Sequence, residues 1–334
     1  MKRGGWQLVA GGAVGVLLLA LALRGVDVPR LWDALVHANY WMLLPACGLT
    51  VMAFYLRALR WGVLLQSVKP ISPGSLFSAT MIGYAGNNLL PARLGEFMRA
   101  WAIGRQERIS RSAAFATVVV ERVVDVFSTL VFFGLTLLLH PFPESARRAG
   151  WTVLGLNVVL LGLLVGAERN PDRVAAFARW VGGRVPERAR PRVVNLLGNF
   201  VTGLGVLRQG SAIGRVVLYS AGLYVVTILC IHVCLVAFHF PTPWYTALVL
   251  LVGITMGITV APTPGYVGAM QVACVWGLSL FGVDHSRAFS YSLFYHVTQF
   301  VPITALGLWY LARQGLSLGE AAGEARGKEV REPA

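Results

Sequence analysis

Six apolar runs along this chain are each close to the length that crosses a bilayer as a helix, about 20 residues. They cover residues 8–23, 41–61, 113–139, 151–167, 216–240 and 288–311. Trp41 and Trp61 bracket the second run, as aromatic belts at membrane surfaces do. Arg57, Arg60 and Lys69 are read as marking its end and the basic loop beyond it. Two further apolar stretches are shorter and interrupted. Residues 75–90 run into Pro91 and Gly95 and resume over 96–104, while 244–260 and 265–281 flank Ala261, Pro262, Thr263, Pro264 and Gly265. Proline removes a helix donor and crowds the preceding turn, and glycine weakens a helix. Both stretches therefore predict helical hairpins that enter a membrane and turn back. Broken backbone at membrane depth is tolerated where it lines a cavity or is buried in protein.

The intervening segments set orientation. A loop carrying Arg24, Asp27 and Arg30 follows the first run, and one with Pro141, Pro143, Arg147 and Arg148 follows the run at 113–139. Residues 168–215 are rich in arginine and predict a cytoplasmic loop under the positive-inside rule. Within that loop Val174, Phe177 and Trp180 are spaced for one face of a helix at the membrane surface, and a plain solvated linker fits as well. The tail, 313–334, is Gly- and Glu-rich and is expected to be a disordered cytoplasmic segment.

Composition narrows the class. Of 334 residues 56% are hydrophobic and 13% charged, against about 25% charged in a soluble domain. The expectation is an all-α, polytopic integral membrane protein with one transmembrane domain, 1–312, in the inner membrane and with both termini cytoplasmic. The net charge of +14 is assigned to loops facing anionic headgroups, not to nucleic-acid binding. The four cysteines, Cys47, Cys230, Cys234 and Cys274, all lie in apolar runs and read as small packed side chains. Cys230, His232 and Cys234 do not share one helix face, so no metal site is expected. Ala20, Leu21 and Ala22 look like a signal-peptidase site, but an uncleaved first span is preferred because the second half contains its counterpart.

That counterpart belongs to an internal repeat. Pro91 and Gly95 are answered by Pro264 and Gly268, and Gly104 by Gly277, all 173 residues on. With one residue inserted, Ser112, Ala114 and Phe115 are answered by Ser286, Ala288 and Phe289. Carried forward, Glu121, Arg122 and Asp125 fall on Tyr295, His296 and Gln299. The halves, about 6–139 and 150–312, then each hold two spans, a hairpin and a span in opposite orientation. Inverted repeats with discontinuous helices are a recurrent transporter plan.

The chemistry concentrates around the first hairpin and the helix after it. Glu121 and Asp125, at i and i+4, share a helix face and repel unless a cation lies between them. Arg93, Arg99 and Arg122 are the candidates. An anionic headgroup competing for these arginines would make the cluster a translocation site; an ion network that only locks hairpin to helix fits the same residues. Glu96 begins the returning limb, where the helix dipole favours its charge. Asn87 and Asn88 cap the broken helix or bind a headgroup. Gln271, His296 and Gln299 are the polar candidates of the second half. Pro91, Gly95, Pro262, Pro264, Gly265 and Gly268 are expected to shape the turns.

Asn87, Asn88, Pro91, Arg93, Gly95, Glu96 and Arg99, then Glu121, Arg122 and Asp125, then Pro262, Pro264, Gly265 and Gly268, resemble the transmembrane region of the lysylphosphatidylglycerol synthase family, also called flippase-like or UPF0104. The likeness covers about 8–311. Gln271 stands where the family commonly has a glutamate. The likeness does not extend to the soluble aminoacyl-transfer domain of full-length synthases. It therefore implies lipid translocation or lipid-carrier handling, with a membrane lipid as substrate and a lipid-modifying enzyme as a possible partner. An accessory subunit or a membrane-embedded lipid-carrier transferase are the alternatives. No cofactor is implied, and no G-x-x-x-x-G-K-[ST] nucleotide loop is present.

Overall fold

The structure is a computed structural model that describes residues 3–90, 93–140, 144–183, 210–261 and 263–325. Pro91, Pro262, Pro141, Pro143 and the centre of the Arg-rich segment lie outside the described residues. Every regular element among the described residues is helical: α1 (Arg3–Leu23), α2 (Val28–Val36), α3 (Leu43–Leu65), α4 (Pro73–Leu89), α5 (Leu94–Glu107), α6 (Arg111–Leu139), α7 (Glu144–Arg169), α8 (Pro171–Gly182), α9 (Gly210–Ala237), α10 (Thr246–Val260), α11 (Ala269–Ser279), α12 (His285–Arg313) and α13 (Leu318–Ala325), with short 3-10 turns at Tyr40–Met42 and Pro264–Tyr266. The all-α membrane class read from the sequence holds. Among the described residues, three helices, Tyr40–Leu65, Arg111–Leu139 and Ser211–Ala237, are long and apolar enough to cross a membrane by length and composition. A bent pair, Gly12–Leu23 with Val28–Val36, meets the same criterion together across a 91° break.

Local chemistry sets the starts. Asp27, Ser72, Ser110 and Asp284 are N-caps whose side chains accept from backbone N–H groups of α2, α4, α6 and α12. The segment after α1, expected as a loop, contains the helix α2, because Asp27 and Pro29 together make a strong start signal. The Arg-rich stretch is helical at both ends: α7 runs to Arg169, α8 follows, and α9 begins at Gly210. The tail is also corrected. It opens with α13, where Ser317 and Glu320 cap each other reciprocally, and fully buried Ala321 packs beside α5.

Both broken stretches are antiparallel helical hairpins. In the first, α4 and α5 pack closely around glycines. A Cβ on Gly95 would lie 1.8 Å from the Gly83 carbonyl oxygen and 2.6 Å from the Asn87 nitrogen, so only glycine permits this approach. The open ends are tied together by Lys69 Nζ to Glu107 Oε2 at 2.8 Å and by Gln106 Nε2 donating to Ser78 Oγ at 3.2 Å. In the second, α10 and α11 are joined through the Pro264–Tyr266 turn, and Gly268 at φ 82° supplies the left-handed backbone before α11.

The hairpins interlock with the long helices of the other half. The α3 helix packs along α9, α4 along α12, and α6 beside α10. One core gathers α9–α12, and another gathers α3–α6. Between them the two hairpin tips approach each other: a Cβ on Gly265 would lie 3.0 Å from the Asn88 carbonyl oxygen.

Candidate functional site

Three helices converge on one buried charged cluster. Arg57 and Arg60, three apart on α3, face Glu121 and Asp125, four apart on α6. Arg57 Nη1 lies 3.2 Å from Glu121 Oε1 and 2.7 Å from Asp125 Oδ2. Arg60 Nη2 lies 3.2 Å from Glu121 Oε1 and 2.5 Å from Asp125 Oδ1, and its Nη1 donates to Ser220 Oγ on α9 at 3.1 Å. From α5, Arg99 Nη1 comes within 2.7 Å of Glu121 Oε2, and its guanidinium stacks 3.9 Å from the Trp61 ring. Arg122 reaches Asp125 Oδ2 at 3.3 Å, Glu96 Oε1 at 3.5 Å and the Tyr84 hydroxyl at 2.8 Å. Taking one charge out of water costs several kcal/mol, roughly, and a buried pair offsets that only with good geometry and added hydrogen bonds. Here each α6 carboxylate is shared among three arginines, and Asp125 accepts hydrogen bonds from Arg57 and Arg60, but Glu121 Oε2, Arg60 Nε, Arg122 Nε and all three Arg99 nitrogens are buried without a hydrogen bond.

The cluster opens on a cavity of about 390 Å³ between the hairpins. The first half contributes Arg57, Tyr84, Arg122 and Asp125 to its lining, and the second half Tyr266, Tyr295, His296 and Gln299. Val126, Leu130, Ile254 and Ile258 on α6 and α10 add an apolar stretch.

Of the residues singled out from the sequence, Asn88, Arg93, Glu96, Arg122, Asp125, Gly265, His296 and Gln299 line this cavity. Arg99 and Glu121 lie in the ion cluster, fully buried. Gln271 does not line it. Its Oε1 accepts from Gly268 N–H at 2.7 Å, capping α11, and its Nε2 meets His296 Nδ1 at 3.0 Å. Gln299 Nε2 donates across to Thr50 Oγ1 on α3 at 2.8 Å.

Three expectations change. Arg93 does not sit between Glu121 and Asp125; it is left-handed at φ 51° and its Nη2 donates to the Ile258 carbonyl at 2.7 Å, a free C-terminal carbonyl of α10. Among the described residues neither Asn87 nor Asn88 caps the break. Leu90 N–H closes α4 onto the Gly86 carbonyl, Asn88 Nδ2 donates to Thr304 Oγ1 on α12 at 2.8 Å, and Asn87 Oδ1 is buried with no partner among the described residues. Arg57 and Arg60 are not boundary residues but the centre of the cluster. A sequence signal existed: apolar Val63, Leu64 and Leu65 follow Arg60 before the first polar residue, Gln66, and the structure carries α3 through to Leu65, so the pair lies inside the helix.

No group of three or more His, Cys, Asp and Glu side chains suited to a metal occurs among the described residues. Cys230 and Cys234 are buried in the α9–α12 core, and His232 is exposed.

The chain matches the family model of the lysylphosphatidylglycerol synthase TM region over residues 8–307. A UPF0104 membrane protein of Methanothermobacter thermautotrophicus is 24% identical across 96% of this chain and 98% of its own. Glycosyltransferase AglD of Haloferax volcanii is 26% identical over 69% of this chain, which spans 41% of AglD. The UPF0104 membrane protein MJ1595 of Methanocaldococcus jannaschii is 28% identical over 36% of this chain and 35% of its own. No solved structure matches the chain.

Proposed function

This chain belongs to the lysylphosphatidylglycerol synthase TM region family, and from that premise we propose that it is a lipid translocase of the inner membrane, both termini cytoplasmic. It moves an anionic or carrier-linked lipid headgroup through the cavity between the two hairpins while the hydrocarbon chains stay in the bilayer. One observation carries this reading: a buried cluster rich in arginine opens on a 390 Å³ cavity where the tips of two broken helices meet. Ionisable groups inside a membrane domain mark substrate or ion paths. The cavity lies at the low end of ligand-pocket sizes, suited to a headgroup and not to a whole lipid.

Further support comes from the repeat register. Arg122 and Asp125 on α6, and their counterparts His296 and Gln299 on α12, both line the cavity. In this reading the hairpins are re-entrant and the halves are inverted, so alternating access is a rocking of one half against the other. The chain carries no nucleotide loop of the P-loop kind, so movement is downhill or driven by a gradient.

Reconstitution tests this. Proteoliposomes with a fluorescent phospholipid or polyprenyl phosphate in the inner leaflet are treated with an external quencher. Protein-dependent loss of the protected fraction is expected; an unchanged protected fraction for every lipid rejects translocation.

The similarity to AglD, a glycosyltransferase by name, favours a second reading, in which the chain serves a glycolipid-modifying system as its membrane component. Co-purification with a lipid-modifying enzyme, together with no transport by the isolated chain, would select it.

A further inference from the structure

The short helix α2 has three faces where a helix between core and water needs two. Leu31, Ala34 and Leu35 lean on the core of α9–α12. Asp33 and His37, with Arg30, form an exposed polar face on which His37 Nδ1 lies 3.1 Å from Asp33 Oδ1. Between these two, Val28, Trp32 and Val36 recur every fourth residue and are 69%, 65% and 58% exposed. At about 100° per residue the three sets lie side by side round the helix. The apolar stripe touches neither the core nor a polar neighbour, so it calls for a third environment.

The direction of α2 supplies one. It leaves α1 across a 91° break, so an α1 that crosses the membrane lays α2 along the membrane surface. It is pinned there to the start of α12. Asp27 N–H donates to Ser286 Oγ at 2.9 Å, Ser290 Oγ donates to the Leu31 carbonyl at 3.0 Å, and Arg30 Nη1 lies 3.5 Å from Asp284 Oδ2. His285 Nε2 lies 2.8 Å from the Ala22 carbonyl oxygen, where α1 ends. The Tyr40–Met42 turn is at the same end of the bundle, since Asn39 N–H donates to the Ala237 carbonyl that closes α9. Trp41 and Trp244, on that turn and on the loop before α10, are exposed as Trp32 is. Three tryptophans from three separate elements at one level make a belt, which suits a lipid boundary better than one partner protein.

We propose that α2 is a membrane-surface helix at the end of the bundle opposite Arg215, with Val28, Trp32 and Val36 seated at the boundary of headgroups and acyl chains and Asp33 and His37 in water. Its occupant is the lipid surface itself. The seat also fixes depth. His296 is eleven residues beyond His285 on α12, which is about 16 Å along the axis and close to half of a hydrocarbon core of about 30 Å. The cavity residues His296 and Gln299 then sit near the middle of the bilayer, whatever the cavity carries.

Nitroxide labels on the full chain in nanodiscs of phosphatidylethanolamine and phosphatidylglycerol test this, in a Cys47→Ala background, the other three cysteines being buried. Collision with oxygen, which gathers in lipid, is compared with collision with a water-soluble nickel chelate. The oxygen-to-nickel ratio should be severalfold higher for Trp32→Cys and Val36→Cys than for Asp33→Cys and His37→Cys. It should be higher still for Val297→Cys, exposed on α12 beside His296. As a label-free check, Trp32→Phe should lower the share of tryptophan fluorescence quenched by lipids brominated near the glycerol end of their chains. Four equal, nickel-accessible labels on α2 would put the helix in water and overturn the proposal. Labels at 32 and 36 shielded from both reagents would mean that protein covers the stripe, and unchanged bromolipid quenching would remove Trp32 from the lipid; either result overturns it as well. A Val297 ratio no higher than that at Trp32 overturns the depth assigned to the cavity.

Discussion

Arg60 on α3 and Asp125 on α6 are 65 positions apart in sequence, and their side chains meet at 2.5 Å with the Arg60 side chain wholly enclosed. The contact joins the helix before the first hairpin to the helix after it. It makes the packing of these two spans depend on a charge pair, where lipid-facing helices otherwise rely on close apolar packing.

Asp125→Ala removes the partner shared by Arg57, Arg60 and Arg122. Breaking one side of a buried pair costs about 3–5 kcal/mol, because the remaining charge stays buried. A marked drop in unfolding temperature in detergent is expected, followed through tryptophan fluorescence. Asp125→Asn, which keeps the shape and one acceptor, should lose less.

Gly95→Ala places a methyl group 1.8 Å from the Gly83 carbonyl oxygen, a backbone atom that cannot swing aside as a flexible side chain can. The first hairpin should fail to close, and the protein should aggregate on extraction. Gly74→Ala, at the start of the same hairpin, meets nothing within 4 Å and should extract and elute as wild type does. Size-exclusion profiles of the two variants decide the matter.

Gln271→Leu deletes the cap on Gly268 N–H and the bond to His296 together. Loss of a helix cap typically costs about 1 kcal/mol, and leaving a buried group unpaired adds a comparable amount. Amide hydrogen exchange at the first turn of α11 should quicken, while exchange in α6 stays unchanged. Equal exchange in wild type and variant would show that this cap does not hold the turn.

The open end of the first hairpin should respond to acid. Lys69, and after it Ser75, hold the Glu107 carboxyl below its ordinary value of 4.5. A carboxyl lowered in the folded state adds stability that is complete above that ordinary value and disappears as pH falls through the lowered one. The Lys69 side chain is 43% exposed, so the contribution is about 1 kcal/mol or less. The difference in unfolding temperature between wild type and Glu107→Gln should therefore be present at pH 7 and shrink below pH 4.5. A difference that is constant with pH would place the stabilisation elsewhere.

Much of the architecture was legible because membranes restrict it. Apolar run lengths gave the long helices, and proline and glycine at 91, 95 and 264–268 gave the breaks between hairpin limbs. The α2 helix and the opening turn of the tail escaped that reading, since short helices are set by caps such as Asp27 and the Ser317–Glu320 pair and not by long apolar runs. Arg57 and Arg60 were misplaced for a different reason. Arginine near a helix end reads as an interfacial residue, and only a facing pair of carboxylates makes burial affordable.

By itself the sequence determined the helical membrane class, the two broken elements and the shared face of Glu121 and Asp125, because each follows from local period, backbone chemistry or the length of an apolar run. Tertiary structure alone decided which cations meet those carboxylates, that Arg93 instead caps α10, and that Gln271 fixes His296 while Gln299 reaches α3. Helical period says which side chains share a face; it does not say which helix that face will meet, since the choice is made by packing between segments far apart in the chain.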